Sequence, residues 1–330
     1  MVGGAVGRGS PLAFGWPAGR LDGVTALLLG AFGLTLSLVV PGILAGARWP
    51  DRAPAAAVLL WQAITLAAVL SALGVVLAAP EELTRAAGSG KPVAAVALIG
   101  ALAVAATIVL RLLISLYGVS RRSRARRSRH RLLVDLLDRA ERRDAQLGQH
   151  GGPDNLRVLE GALPLAYCLP GRESRVVLSD GVLQVLDRAQ VDAVLAHEQT
   201  HLRHRHEVVM ESFTAFYRAV PAPLRSRAPL DAVHLLLEMV ADDAARRQCG
   251  PAPLRAALER LTDAVPLTED VGPDPQGDAR RMRLGRLAAP HTRSVALNLA
   301  AGLAAIALLV LPTVILVVPW LDRALTDWPL

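Results

Sequence analysis

Apolar residues in this chain of 330 gather into four long blocks around a polar middle. Three blocks come first, at about 21–47, 55–79 and 92–117, and a fourth at about 295–320 follows the polar segment. Each exceeds the roughly 20 residues a helix needs to cross a bilayer, so the pattern predicts four transmembrane helices. Gly, Ala and Leu dominate them, which suits close helix packing in lipid. The first block is too long and too lightly flanked to be only a cleaved signal. Arg111, near the end of the third block, can extend its head to the interface.

The polar middle shows a different period. Val191, Val194, Leu195 and Leu202 recur at helical spacing behind Asp187 and Gln190, which read as a capping-box variant. A second helix is predicted from Asp231 to Gln248, ended by Gly250 and Pro251. The proline-rich run from Val220 to Pro229 is the turn that would bring it back antiparallel. Upstream, Pro164 to Leu169 and Arg175 to Leu178 flank Pro170-Gly171-Arg172-Glu173-Ser174, which predicts a β-hairpin. Met1 to Arg20 reads as an irregular arm, and Thr262 to Gly277 as a surface loop.

Charge orients the spans. From Arg121 to Arg143 there are ten arginines against three acids, directly after the third block. Arg280, Arg281, Arg283, Arg286 and Arg293 stand before the fourth. Positive charge marks the cytoplasmic side, so the polar segment is expected in the cytosol and both termini outside. The division is then an arm at 1–20, three spans within 21–120, a cytoplasmic domain at 121–294, a fourth span at 295–320 and an outer tail at 321–330.

Composition agrees with a cell-membrane, multi-pass protein: 52% of residues are hydrophobic and mean hydropathy is +0.37, above the usual soluble enzyme. The net charge of +7 invites a nucleic-acid reading. The basic residues cluster beside a span without interleaved aromatics, so anionic lipid near 121–143 explains them better than direct nucleic-acid contact. Cys168 and Cys249 fall in the cytoplasmic part, where a disulfide is not expected.

The predicted helix behind Asp187 carries His197-Glu198-Gln199-Thr200-His201, an H-E-x-x-H motif. Two imidazoles four residues apart lie on one helical face and can bind a single Zn²⁺. Glu198 stands beside the metal as the candidate general base. The third ligand does not come from the same segment, because His204 and Glu207 occupy the positions where an extended motif has Gly and His. Glu238, on the later helix, is the candidate: Leu235, Leu236, Leu237, Met239 and Val240 surround it, and an unpaired charge there would be costly. Asp242, four residues on, is the candidate acceptor that orients a ligand histidine. His234 is an extra ligand, a transition-state donor or a core histidine, the last favoured. Tyr217, His234 and Arg246 are the candidate oxyanion donors, and the sequence does not choose among them. Phe213, Phe216 and Tyr217 read as core.

The run from Val177 to Leu183, then Val191 to Leu202 with the motif, and Glu238 with Asp242, resembles the BlaR/MecR-type membrane zinc peptidases. So does the order of three spans, a cytoplasmic domain and a fourth span. The resemblance implies a multi-span α-helical membrane protein with a small α+β zincin-like (gluzincin) domain. It also implies one Zn²⁺ per chain and cytosolic cleavage of the protein itself or of a transcriptional repressor. A homodimer is compatible with it. The family's best-known members carry an outer penicillin-binding sensor. Here only about ten residues follow Trp320, and Lys91 is the sole lysine, so a short member without that sensor is expected. Two other readings use the same residues: a housekeeping peptidase of the HtpX or CAAX-prenyl type, and a non-catalytic zinc-containing scaffold. An intact Glu198 argues against the scaffold.

Overall fold

Pro41 divides the first apolar block. It lacks the N–H a helix interior requires, and the block folds as α1 (Thr25–Leu38) and α2 (Val40–Ala45) with a bend at Val39. A 3₁₀ turn (Trp49–Arg52) leads into α3 (Pro54–Gly88), and α4 (Pro92–Leu137) follows. The computed structural model describes residues 25–88, 90, 92–137, 155–222, 225–263, 275–289 and 294–326. The arm at 1–20, Lys91, Arg139, Arg142, Arg143, Arg293, most of the 262–277 loop and the last four residues lie outside them.

Among the described residues, four helical segments are long and apolar enough to cross a membrane: Thr25–Ala45, Pro54–Gly88, Pro92–Val134 and Val295–Val318. The last belongs to α11 (Val295–Thr326). Helices α1, α4 and α11 all pack on α3, which is therefore the bundle's centre. Small residues make this possible. A Cβ on Gly74 would lie 2.7 Å from Leu29 Cδ1, so glycine there makes room for the buried Leu29 side chain of α1. At the end remote from the polar domain, the buried Glu82 carboxylate accepts from the backbone N–H of Ala26 and so caps α1.

Two helices outrun the apolar blocks that predict them. The second block ends near Ala79, yet α3 continues to Gly88; the third ends near Tyr117, yet α4 continues to Leu137. Hydropathy marks where lipid would end, not where a helix does: no proline interrupts 93–137, and α3 passes through Pro80 before it reaches Gly88. The arginine-rich segment is helix as far as Leu137, and α4 has 46 residues among those described. At the usual rise per residue it is roughly 70 Å long, more than twice the thickness of a hydrocarbon core.

The polar domain begins with a three-stranded sheet of β1 (Leu156–Leu159), β2 (Ala166–Leu169) and β3 (Arg175–Ser179), in the order β1-β3-β2. β2 and β3 form the expected antiparallel hairpin, with Tyr167 opposite Val177. β1 adds a parallel partner on the other side of β3, with Leu156 opposite Val176. All five β3 residues are buried. A short helix α5 (Asp180–Val185) follows, N-capped by Ser179. Then come α6 (Arg188–Arg203), α7 (His206–Ala219), α8 (Ala228–Cys249), α9 (Pro251–Asp263) and α10 (Pro275–Ala288).

Helix α8 joins the domain to the bundle. Its Val233, Leu236, Leu237 and Met239 are buried in one cluster with Leu36, Trp61, Ile64 and Phe213. Trp61 and Phe213 meet edge to face, with centroids 6.2 Å apart, a favoured geometry for aromatic rings. The 3₁₀ turn lies at the same end: Arg286 of α10 donates to the Asp51 carbonyl (2.8 Å) and pairs with Asp243 of α8 (2.8 Å). Burial raises the Asp51 carboxyl above its usual range, with Arg286 opposing. Arg111, near the domain end of the third apolar block, donates through its Nε to the Ala219 carbonyl at the end of α7 (2.7 Å).

Candidate metal centre

Helix α6 starts at a complete capping box. The Asp187 side chain accepts from Gln190 N–H, and the Gln190 side chain accepts from Asp187 N–H. This fixes the register in which Val191, Val194 and Leu195 enter the core against β3 and Ala193, Ala196 and Thr200 are buried. His197 and His201 then face α8. His197 lies against both Asp242 and Glu238, and His201 against Glu238, so the two helices run antiparallel. Gly250, at a φ of 83°, ends α8; positive φ at this position is the reason glycine stands there.

Three donors converge. His197 Nε2 and His201 Nε2 are 3.1 Å apart, and each is 3.4 Å from an oxygen of Glu238. Donors at about 2.0–2.1 Å from one tetrahedral zinc stand about 3.3 Å from each other, so the spacing matches that ion. His197, His201 and Glu238 are the cluster among the described residues that could hold a metal. The electrostatics agree. Glu198, Glu238 and Asp242 face a single guanidinium, Arg283, which leaves a formal excess of negative charge suited to a divalent cation. Burial disfavours a charged imidazole at both histidines. At His197 the hydrogen bonds of Asp242 and Glu238 outweigh it and raise the pKa to about 9. At His201 burial and the charge of His197 lower it to about 3. Two histidines competing for one proton beside a carboxylate are the donor set a dication would satisfy.

Each ligand candidate is held from behind. His197 Nδ1 lies 3.0 Å from Asp242 Oδ1, and Asp242 is almost wholly buried. The ring and the carboxylate are paired by distance, though Nδ1 makes no aligned hydrogen bond; a neutral ring with its proton on Nδ1 would leave the Nε2 lone pair for a metal. His201 Nδ1 lies 2.9 Å from His206 Nδ1. His206 reaches back because Arg205 adopts a left-handed conformation (φ 49°) that ends α6 and starts α7. Arg283 of α10 grips Asp242 through Nε (2.8 Å) and Nη2 (2.7 Å) and reaches Glu238 through Nη1 (2.9 Å). Such a forked grip on a carboxylate is what the planar guanidinium is shaped for. Its charge and hydrogen bonds, with those of the histidines, overcome burial and hold both carboxylates below their usual range.

Glu198 sits beside this cluster, partly buried. Burial pushes its carboxyl up, His197 opposes and Glu238 adds to the rise. The Cys168 thiol of β2 is the neighbour of the Glu198 carboxylate on the sheet side. Burial and that same carboxylate push the Cys168 thiol up, so it stays protonated.

Other residues that the sequence suggests for the site stand elsewhere. His234 is exposed on α8 rather than in the core, because the bundle face of that helix is taken by Val233, Leu236 and Leu237. Tyr217 faces the bundle, stacked under Arg225 with 5.1 Å from guanidinium to ring centroid. Arg246 points along α10 and donates to the carbonyls of Arg286 (3.3 Å) and Ala289 (3.0 Å). The arginine at the site is Arg283, which from sequence alone is only interfacial charge. Cys168 and His206 also escape sequence reasoning, since nothing local marks a side chain whose partner lies across the fold.

The model of Peptidase family M48 matches residues 134–244, from the last turn of α4 into α8. That stretch contains His197, Glu198, His201, Glu238 and Asp242, and the match supports a metallopeptidase of that family. No curated protein and no solved structure matches the chain.

Proposed function

We propose that this chain is a membrane-embedded, zinc-dependent endopeptidase that hydrolyses peptide bonds at the cytoplasmic face. The convergence of His197, His201 and Glu238 on tetrahedral spacing carries the reading. These three would hold the ion. When bound, zinc lowers the pKa of a water to about 7 and polarises a scissile carbonyl. Glu198 takes the proton of the attacking water and returns it to the leaving amine, and its raised carboxyl favours that exchange. Asp242 and His206 fix the two imidazoles, and Arg283 fixes Glu238 and Asp242. β2 lies at one edge of the sheet and packs on α6, so its outer edge suits an extended substrate bound by strand addition.

We read the role as signalling, with the protein itself or a transcriptional repressor as substrate. The observation in favour is the path of α4. It runs without interruption from the third span to the hairpin beside the site, where Arg131 donates to the Pro170 carbonyl (2.9 Å) and His130 meets the Tyr167 hydroxyl (2.9 Å). Arg121, Arg122 and Arg124 stand nearest the spans, largely open to solvent, and suit anionic lipid. Arg127 is taken up instead by Glu211.

The test is zinc content and cleavage on the full chain in detergent, for wild type and Glu198→Gln. Zinc in both, with hydrolysis reduced at least about 10²–10⁴-fold in the variant, is expected. Full activity in Glu198→Gln removes the base, and absence of zinc from wild type removes the reading.

A further inference from the structure

An apolar groove runs between α1 and α4 over α3. It comprises two adjoining cavities of about 380 and 290 Å³ that share Leu34, Ser37, Ala68, Ala72, Val104 and Ile108. It opens sideways, for Leu34, Leu38, Val104 and Ile108 remain exposed. The larger cavity is closed at the domain end by Phe216, Ala219, Val220 and Pro221.

One charged side chain lines this groove among the described residues, and it is Arg111. Its Nε is bound to the Ala219 carbonyl, which holds the guanidinium in place, while its two Nη groups have no partner among the described residues. No acidic residue among those described lines the groove. Depth gives this cation its meaning. From Pro92 to Arg111 the helix rises about 28 Å, close to the roughly 30 Å of a hydrocarbon core, which would set Arg111 at the headgroup level on the domain side when Pro92 marks the far surface. The α4 residues of the larger cavity run from Ala103 to Leu112. They cover about 14 Å, close to one leaflet of about 15 Å. Arg225 adds a second guanidinium at the same helix end, on the carbonyls of Arg218 (3.2 Å) and Val220 (3.1 Å).

We propose that the groove binds one acyl chain of an anionic phospholipid of the domain-side leaflet, with its phosphate on Arg111. An apolar slot one leaflet long that ends in an unneutralised guanidinium fits this occupant. A zwitterionic lipid fills the slot equally well but brings its own cation to the arginine.

The experiment is native mass spectrometry of the full chain in detergent, offered phosphatidylglycerol or phosphatidylcholine with the same acyl chains. Wild type should retain one phosphatidylglycerol at several-fold higher occupancy than phosphatidylcholine. Arg111→Gln keeps a donor for the Ala219 carbonyl and removes the charge; it should level the two lipids. Arg111→Lys should keep the preference. Ala72→Phe fills the groove from its floor and should lower both; Ile108→Trp serves the same end if Ala72→Phe is not monodisperse. Equal retention by wild type, or a preference surviving in Arg111→Gln, overturns the proposal. So does retention of neither lipid, which would give the groove to the 1–24 segment or, if dimer mass accompanies it, to a second copy.

Discussion

The Nδ1 atom of His197 lies 3.0 Å from Asp242 Oδ1, while the Nε2 atom of the same ring faces Glu238 at 3.4 Å. One imidazole thus connects a buried acceptor on α8 with a candidate metal ligand one turn earlier on the same helix. The arrangement works only if α6 and α8 keep their antiparallel register, which the capping box at Asp187 and the apolar face of α8 both set.

Asp242→Asn should therefore weaken zinc binding without removing a ligand. The amide can present its NH₂ to Nδ1 and favour the wrong tautomer, and loss of such an outer partner typically costs about 10–100-fold in metal affinity. Competition against a chromophoric chelator measures it. Affinity unchanged within about twofold would show that Asp242 serves Arg283 alone.

Arg283→Gln should destabilise the protein most when zinc is withheld. The guanidinium is the cation that answers Glu238 and Asp242, and removing one member of a buried charge cluster costs about 3–5 kcal/mol. A dication on Glu238 would restore part of that. The thermal midpoint of the variant should thus rise more on adding zinc than that of wild type. Equal rises would separate Arg283 from the metal.

Much of this centre is legible in the sequence, and the reason is local. H-E-x-x-H, its cap and the breaker after α8 are short-range patterns, and the helical period of α8 singles out Glu238 because charge is rare on an apolar helix. The hairpin is likewise local, since Pro170 to Ser174 is turn chemistry between two short apolar runs. Arg283 is not legible: it lies over forty residues from Glu238 along the chain and resembles its basic neighbours Arg280 and Arg281. Nor is β1, a four-residue strand whose parallel pairing with β3 leaves no turn to mark it. His206 depends on one left-handed residue, Arg205, at a position where no glycine announces it. The reach of α4 to Leu137 is hidden because apolar content measures the lipid-facing length of a helix, not its whole length.

Gly74→Val should separate α1 from α3. The added side chain meets the end of the buried Leu29 side chain, which must shift to admit it, and overpacking of this kind costs about 1–3 kcal/mol. Leu29→Ala in the same chain should recover part of the loss, because it removes the atom in conflict. Melting in a fixed detergent reports both variants, and a double variant no better than Gly74→Val would place the conflict elsewhere.

The last expectation concerns sidedness. Arg286 ties the Trp49–Arg52 turn to α8 and α10, so that turn and the metal centre lie at one end of the bundle. Glu82 caps the start of α1 at the opposite end, near the α3–α4 junction. If Thr25–Ala45, Pro54–Gly88 and Pro92–Val134 each cross once, residues near Ala87 must face away from the peptidase domain. In a chain freed of Cys168 and Cys249 and placed in sealed vesicles, Ala87→Cys and Arg203→Cys should react with an impermeant maleimide from opposite sides. Arg52→Cys should follow Arg203→Cys. Labelling of Ala87→Cys from the same side as Arg203→Cys would mean that α3 does not cross, and the inner-face placement of the metal centre would fall with it. The arginines between 121 and 143 lead us, by the positive-inside bias, to expect that the side shared with Arg203→Cys is the cytoplasmic one.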